Sequence, residues 1–251
     1  MINDPAWLPL YEELQRWSDA GRVAGFWLRD DDAVEPTAAL DRLLELTADH
    51  DVPVTLAVVP AFTGEALAAQ LAGAGHALVA VHGWAHQNHA PRDEKKQELG
   101  PHRPRGAILE ELARGLAIVR KLHGARALPM LVPPWNRIDT GLIPELGRLG
   151  FDALSVFGPP KPGPIRLINS NVDVMDWHGT RGCRDHAALV REIVAQLQRA
   201  FAGGDPVGLL THHLIHDDAV WSFMHRVFEI TSRQGVRWRS PREMLAEAPK
   251  P

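Results

Sequence analysis

Short apolar runs and amphipathic stretches alternate along this chain. The runs cover residues 23–29, 54–59, 77–81, 129–132, 153–157, 171–175, 207–211 and 236–239. Most are continuous in apolar residues rather than alternating, which predicts parallel strands buried on both faces. Helical patterns fill the gaps. One follows Pro36-Thr37, with Leu40, Leu43, Leu44 and Thr47 on one face. A second runs from residue 108 to 123 and stops at Gly124. A third follows Asp185, a predicted N-cap, with Val190, Ile193, Val194 and Leu197 at helical spacing before Gly203-Gly204. A fourth carries Val220, Phe223, Met224 and Val227 before Gly235, and residues 9–20 form another.

Seven or eight strand–helix units in 251 residues predict an α/β fold. A closed or nearly closed parallel barrel in one domain fits better than two domains, with residues 1–21 as an N-terminal helical extension. A doubly wound open sheet is the alternative. In both architectures ligands bind beyond the C-terminal ends of the strands.

Five polar constellations stand at predicted strand ends. Arg29-Asp30-Asp31-Asp32 follows the first strand, and three adjacent carboxylates need a cation or an arginine to offset their repulsion. His82 and His86, after the third strand, are spaced to face one cation from a helical turn, and His89 lies three residues further on. After the fourth strand, Pro133-Pro134-Trp135-Asn136-Arg137 predicts a rigid turn that holds the Trp135 backbone over a pocket. Asp173, Asp176 and Trp177 close the strand at 171–175, and His212, His213 and His216 follow the strand at 207–211. A histidine leaving a buried strand is well placed as a general acid.

Charge and composition narrow the chemistry further. The net charge of -4 argues against a basic nucleic-acid footprint. The single cysteine, Cys183, excludes an intramolecular disulfide and a thiolate zinc cluster, and its surroundings are a poor match for a catalytic thiol. Residues 1–7 lack the basic and apolar regions of a secretory signal, and no run is long enough to span a membrane. A cytoplasmic protein with no membrane partner is the expectation. The charged stretch at 90–105 reads as a solvated loop, or as a cap whose Lys95, Lys96 or His102 touches substrate.

Taken in order, the five constellations resemble the motifs of the polysaccharide deacetylases, the NodB-homology or carbohydrate esterase family 4-like group. The matches are Asp31-Asp32-Ala33, His82 with His86, Pro134-Trp135, Asp173 with Asp176-Trp177, and Leu210-Thr211-His212. The resemblance implies a distorted (β/α) barrel of about seven parallel strands. It implies metal ligation by Asp32, His82 and His86, with Zn2+ first and Co2+ or Ni2+ as alternatives. Asp31 would be the general base and His212 the general acid, with Asp176 orienting it. Trp135 and Pro134 would shape the oxyanion side, Trp177 would line the acyl pocket, and His89 and Arg137 would contact substrate.

The substrate implied is an acylated amino sugar or related small molecule. Two registers stay open, Asp30-Asp31 or Asp31-Asp32, and so does the choice among His212, His213 and His216. Val132 stands where the family has an arginine, for which Arg29 or Arg137 is the candidate substitute. Two competing readings remain: another C–N hydrolase of the same fold acting on a ureide or cyclic imide, and an inactive carbohydrate-binding homologue.

Overall fold

The computed structural model describes residues 4–247, so the first three residues of the expected N-terminal extension lie outside it. The chain clusters into two compact units, and strand β1 (Gly25–Ala33) runs through both.

One unit contains residues 55–169, the end of β1 and the segment from residue 241. Its strand order is β6-β5-β4-β3-β2-β1, where β2 is Val54–Val58, β3 Ala77–His82, β4 Ala127–Val132, β5 Ala153–Leu154 and β6 Arg166–Leu167. The β3–β4, β4–β5 and β5–β6 pairs are parallel, with His82 beside Val132 and Leu131 beside Leu154. Every residue of β2 and β3 is buried, and the two strands are apolar except for Thr55 and the terminal His82. Helix α3 (Glu65–Ala72) and helix α4 (Arg105–His123) belong here. Helix α4 buries Ile108, Leu112, Leu116 and Val119 along one stripe. Each such side chain contributes about 1.5–3 kcal/mol.

The other unit contains residues 4–29, 37–54 and 170–240. There the start of β1 neighbours β8 (Val207–Thr211), which pairs in parallel with β7 (Val172–Asp173), and β9 (Arg237–Trp238) lies parallel to β1 through Phe26 and Trp238. Helices α1 (Leu8–Asp19), α2 (Ala38–Asp49), α5 (His186–Phe201) and α6 (Asp218–Arg233) complete it. The N-terminal helix is packed rather than appended: Leu10, Leu14 and Trp17 are buried, and Trp17 meets Phe201 of α5 edge to face. Three helices start on side-chain caps, with Thr37, Asp185 and Asp217 accepting from the N–H groups of Leu40, Ala188 and Val220.

Several boundaries depart from the pattern reading. Strand β1 continues four residues past its expected end, so Asp30, Asp31 and Asp32 lie within the strand rather than after it. Strand β7 stops early because Asp173 Oδ1 takes the Met175 N–H at 3.0 Å. Strand β5 stops at Leu154, and Asn169 Oδ1 accepts the Val156 N–H beyond it at 3.0 Å. Helix α3 and strand β6 were not expected. Helix α3 is a short alanine-rich segment with little amphipathic contrast, and β6 has only two residues.

Candidate active site

The site begins at the C-terminal ends of β1, β3 and β4. His82 is buried at the last position of β3, and its Nδ1 lies 2.9 Å from the Val132 carbonyl of β4. That oxygen can only accept, so Nδ1 carries the proton and Nε2 presents its lone pair. Nε2 lies 3.1 Å from Asp32 Oδ1, and His86 Nε2 lies 3.3 Å from the same oxygen. One ligand atom from each of Asp32, His82 and His86 lies within 4.8 Å of the others. Two ligands of one tetrahedral zinc ion, each about 2.1 Å from the metal, stand about 3.4 Å apart. The donor set therefore fits a divalent cation, and burial together with the neighbouring His82 lowers the His86 pKa, favouring the neutral imidazole that a metal binds. Of the two registers, Asp31-Asp32 is the one that brings a carboxylate to the histidines; Asp31 itself is buried.

The local backbone is unusual. Asp32, His86, Trp135 and Asn136 all have φ between 52° and 74°, although none is glycine. They are four of the six such residues among those described, and strain of this kind collects at functional sites. The Trp135 ring lies 4.3 Å from the His86 ring. The N–H groups of Asn136 and Arg137 bond to the Pro133 and Pro134 carbonyls, whereas the Trp135 N–H makes no hydrogen bond among the described residues.

A residue that motif reading missed organises the loop after β3. Glu98, fully buried, accepts hydrogen bonds from the N–H groups of Trp84 (2.9 Å), Ala85 (2.8 Å) and Gln87 (3.1 Å). The stretch at 90–105 is therefore not simply a solvated loop, since its buried carboxylate grips the loop that carries His86. The fit requires Gly83: with φ at +58°, a Cβ there would come within 2.0 Å of Glu98 Oε2 and 2.6 Å of Pro134 Cδ. The signal for Glu98 in sequence is faint, one acidic residue before Leu99 in a run of charges. Lys96 Nζ lies 5.9 Å from the Trp135 ring centre, and His102 pairs with Glu94 at 3.3 Å.

Other expected residues fall elsewhere. His89 is not in the Asp32 cluster; its N–H bonds to Gln97 O. Arg137 directs a guanidinium N–H to the Lys96 carbonyl at 2.8 Å, so it does not stand in for the arginine that Val132 replaces. Val132 contributes through its backbone, whose carbonyl also accepts the Gly83 N–H at 3.1 Å.

In the other unit, His212 is half-buried with its ring 4.6 Å from Trp177, edge to face. His213 is buried, and His216 Nε2 accepts the His212 N–H at 3.3 Å, which leaves His212 as the freest of the three. The expected Asp176–His212 contact is absent. The Asp176 oxygens are held by the N–H groups of Gly179 and Thr180, at 3.1 and 3.0 Å, in a tight turn. Asp173 instead reaches the Trp177 indole N–H at 2.8 Å. Cys183 is half-buried, and burial and the Asp217 charge push its thiol up to about 12, which removes it as a nucleophile. No helix among the described residues is long and apolar enough to cross a membrane.

No protein-family model and no curated protein matches the sequence. Solved structures do match. A candidate polysaccharide deacetylase from Mycobacterium smegmatis superposes with a TM-score of 0.66 at 16% identity, over 90% of each chain. The chitin deacetylase of the fungal pathogen Colletotrichum lindemuthianum gives 0.62 at 20% identity, over 90% of this chain and 89% of that one. A family 4 carbohydrate esterase from Streptomyces lividans, solved with acetate, gives 0.58 at 15% identity, over 85% and 90%. The fold of this chain is that of the NodB-homology polysaccharide deacetylases.

Proposed function

We propose that this chain is a metal-dependent amide hydrolase that removes an acyl group, acetyl in the simplest case, from an amino sugar or a related small amide. The observation that carries the reading is the convergence of Asp32, His82 and His86, with one donor atom from each inside 4.8 Å. A divalent ion there, zinc first and cobalt or nickel next, would polarise the amide carbonyl and lower the pKa of water. Asp31, next in the chain and buried, is the group to take the water's proton. The Trp135 N–H, with no acceptor among the described residues, is the donor for the developing oxyanion. Pro134 fixes the turn that aims it.

The acid role falls to His212 by its motif, and Trp177 packs the ring that would carry the proton to the leaving nitrogen. His89 and Arg137 are proposed only as outer substrate contacts. One observation favours a second reading, an inactive carbohydrate binder: Val132 stands at the position of the family's arginine, and Arg137 does not replace it. The test is acetate release from acetylated amino sugars by protein loaded with zinc, cobalt or nickel. Release is expected, and it should vanish in Asp32→Ala and His86→Ala. Metal bound at one equivalent with no release from any amide would favour the inactive binder.

A further inference from the structure

A cavity of about 630 Å³ opens beyond the Trp135 turn, within the unit that holds the Asp32 cluster. That is the size of a drug-like ligand site. Its walls are mainly aliphatic and aromatic: Ile138, Ile143, Val156, Phe157, Ile165 and Leu167. Five of them are half-buried and Phe157 is 43% exposed, so apolar surface is open to be covered.

Of the six polar side chains in the wall, Gln97, Arg137 and Asn169 are tied to backbone, and Asn136, Thr140 and Lys161 complete the set. Gln97 Nε2 bonds to Leu99 O at 3.3 Å and Arg137 to Lys96 O at 2.8 Å. Asn169 accepts from Val156 N and donates to Gly158 O at 2.9 Å. With twice as many non-polar as polar residues in it, the wall offers an apolar group more surface to cover than it offers hydroxyls partners. Asn136 and Arg137 in the wall follow Trp135 directly, and the Trp135 ring lies 4.3 Å from His86. The cavity wall thus begins one residue along the chain from the turn whose ring packs against His86.

We propose that this cavity receives an apolar arm of the substrate, alkyl or aryl, while the amide sits at the Asp32–His82–His86 cluster. The placement of the amide rests on the hydrolase reading; occupation of the cavity can be tested without it. The arm could be a long N-acyl chain or an apolar aglycone on the amino sugar. Both present the same chemistry to the wall.

The experiment is calorimetric titration of the metal-free protein, below micelle concentrations, with three ligands: the methyl glycoside of N-acetylglucosamine, its octyl glycoside and N-octanoylglucosamine. Each buried methylene is worth about a fourfold gain in affinity. At least one octyl ligand should therefore bind more than about tenfold tighter than the methyl glycoside, and which one does so identifies the source of the arm. Ile143→Trp, which fills the cavity, should abolish the preference. Val156→Trp serves the same purpose if the first variant does not fold, as judged by circular dichroism.

Equal affinity for all three ligands, no affinity for any, or a preference that survives the tryptophan variant overturns the proposal. Failure of the loaded enzyme to release acid from any amide would instead strike at the hydrolase reading, and would leave the binding result standing.

Discussion

Glu98 offers the sharpest test of how the site is held. Its carboxylate takes three backbone N–H groups of the 84–87 loop, two on Oε1 and one on Oε2. Hydrogen bonds to a charged group contribute about 1.5–3 kcal/mol each, and neutral ones about 0.5–1.5. Glu98→Gln would keep two of the three as neutral bonds and turn the third into a donor–donor clash, a loss of about 5 kcal/mol at the middle of those ranges. The loop also holds His86 at a φ of 52°, which the backbone does not prefer. Loss of the grip should therefore release His86 from its ligating position.

Supporting partners of metal ligands typically change affinity by about 10–100-fold. Glu98→Gln is expected in that range, read by competition for zinc with a chromogenic chelator. Glu98→Asp keeps the charge but is one methylene short of the three N–H groups, so it should fall with Gln if the effect is positional and stay near wild type if it is electrostatic. Glu111→Gln, which breaks the two-bonded pair with Arg103, is the control and should leave zinc affinity unchanged. Wild-type zinc affinity in folded Glu98→Gln would refute the reasoning, whatever happened to its melting temperature.

Four further outcomes follow from the geometry. Zinc should raise the melting temperature of the wild type, and Asp32→Ala or His82→Ala should abolish that rise, as scanning calorimetry in zinc and in chelator will show. Gly83→Ala should destabilise the fold and weaken zinc together, because the added Cβ meets Glu98 and Pro134; an unchanged melting temperature would contradict the close approach. His123 is buried, and burial followed by the Arg126 charge lowers its pKa to about 4. Below its ordinary value of about 6.5 the unfolded chain binds the proton and the folded chain does not, so stability falls as pH drops from 6.5 towards 4, by up to about 3 kcal/mol. His123→Leu should flatten that part of the urea-denaturation profile. Cys183 should react far more slowly with Ellman's reagent in the folded protein at pH 8 than in urea, since its thiol titrates near 12.

The elements most legible in the sequence were those whose information is local. Apolar runs announced β2, β3 and β8, and Asp185 caps the helix it was expected to cap. The fold class followed from the strand–helix alternation, and the Asp32, His82 and His86 grouping from the family resemblance that the ordered motifs carry. What stayed hidden depends on contacts distant in the chain. Strand β6 has two residues and exists because β5 lies beside it. Glu98 is one of several charges in its stretch and is distinguished only by burial against the 84–87 loop. The family resemblance implied that Asp176 serves a histidine, but its own turn offered nearer N–H groups at Gly179 and Thr180.

The backbone conformation at the site bears on whether the pocket still does chemistry. Asp32, His86, Trp135 and Asn136 sit in a region that costs about 1–2 kcal/mol for a residue with a Cβ. Glycine would adopt the same conformation without that cost. Asp and Asn adopt it more readily than other such residues, so the preference for glycine is strongest at Trp135 and His86, where a ring is carried instead. Two of the four carry donor atoms of the cluster and a third places a ring 4.3 Å from one of them. The strain is held by surroundings that resist relaxation: fully buried β3, the Val132 carbonyl on His82, and the Glu98 carboxylate under the loop. Rigid support of three ligand side chains is what a metal centre needs, because a ligand free to rotate must be ordered again at each binding event. The same support does nothing for a pocket that recognises a sugar through its hydroxyls, so the strained backbone favours the hydrolase over the inactive binder.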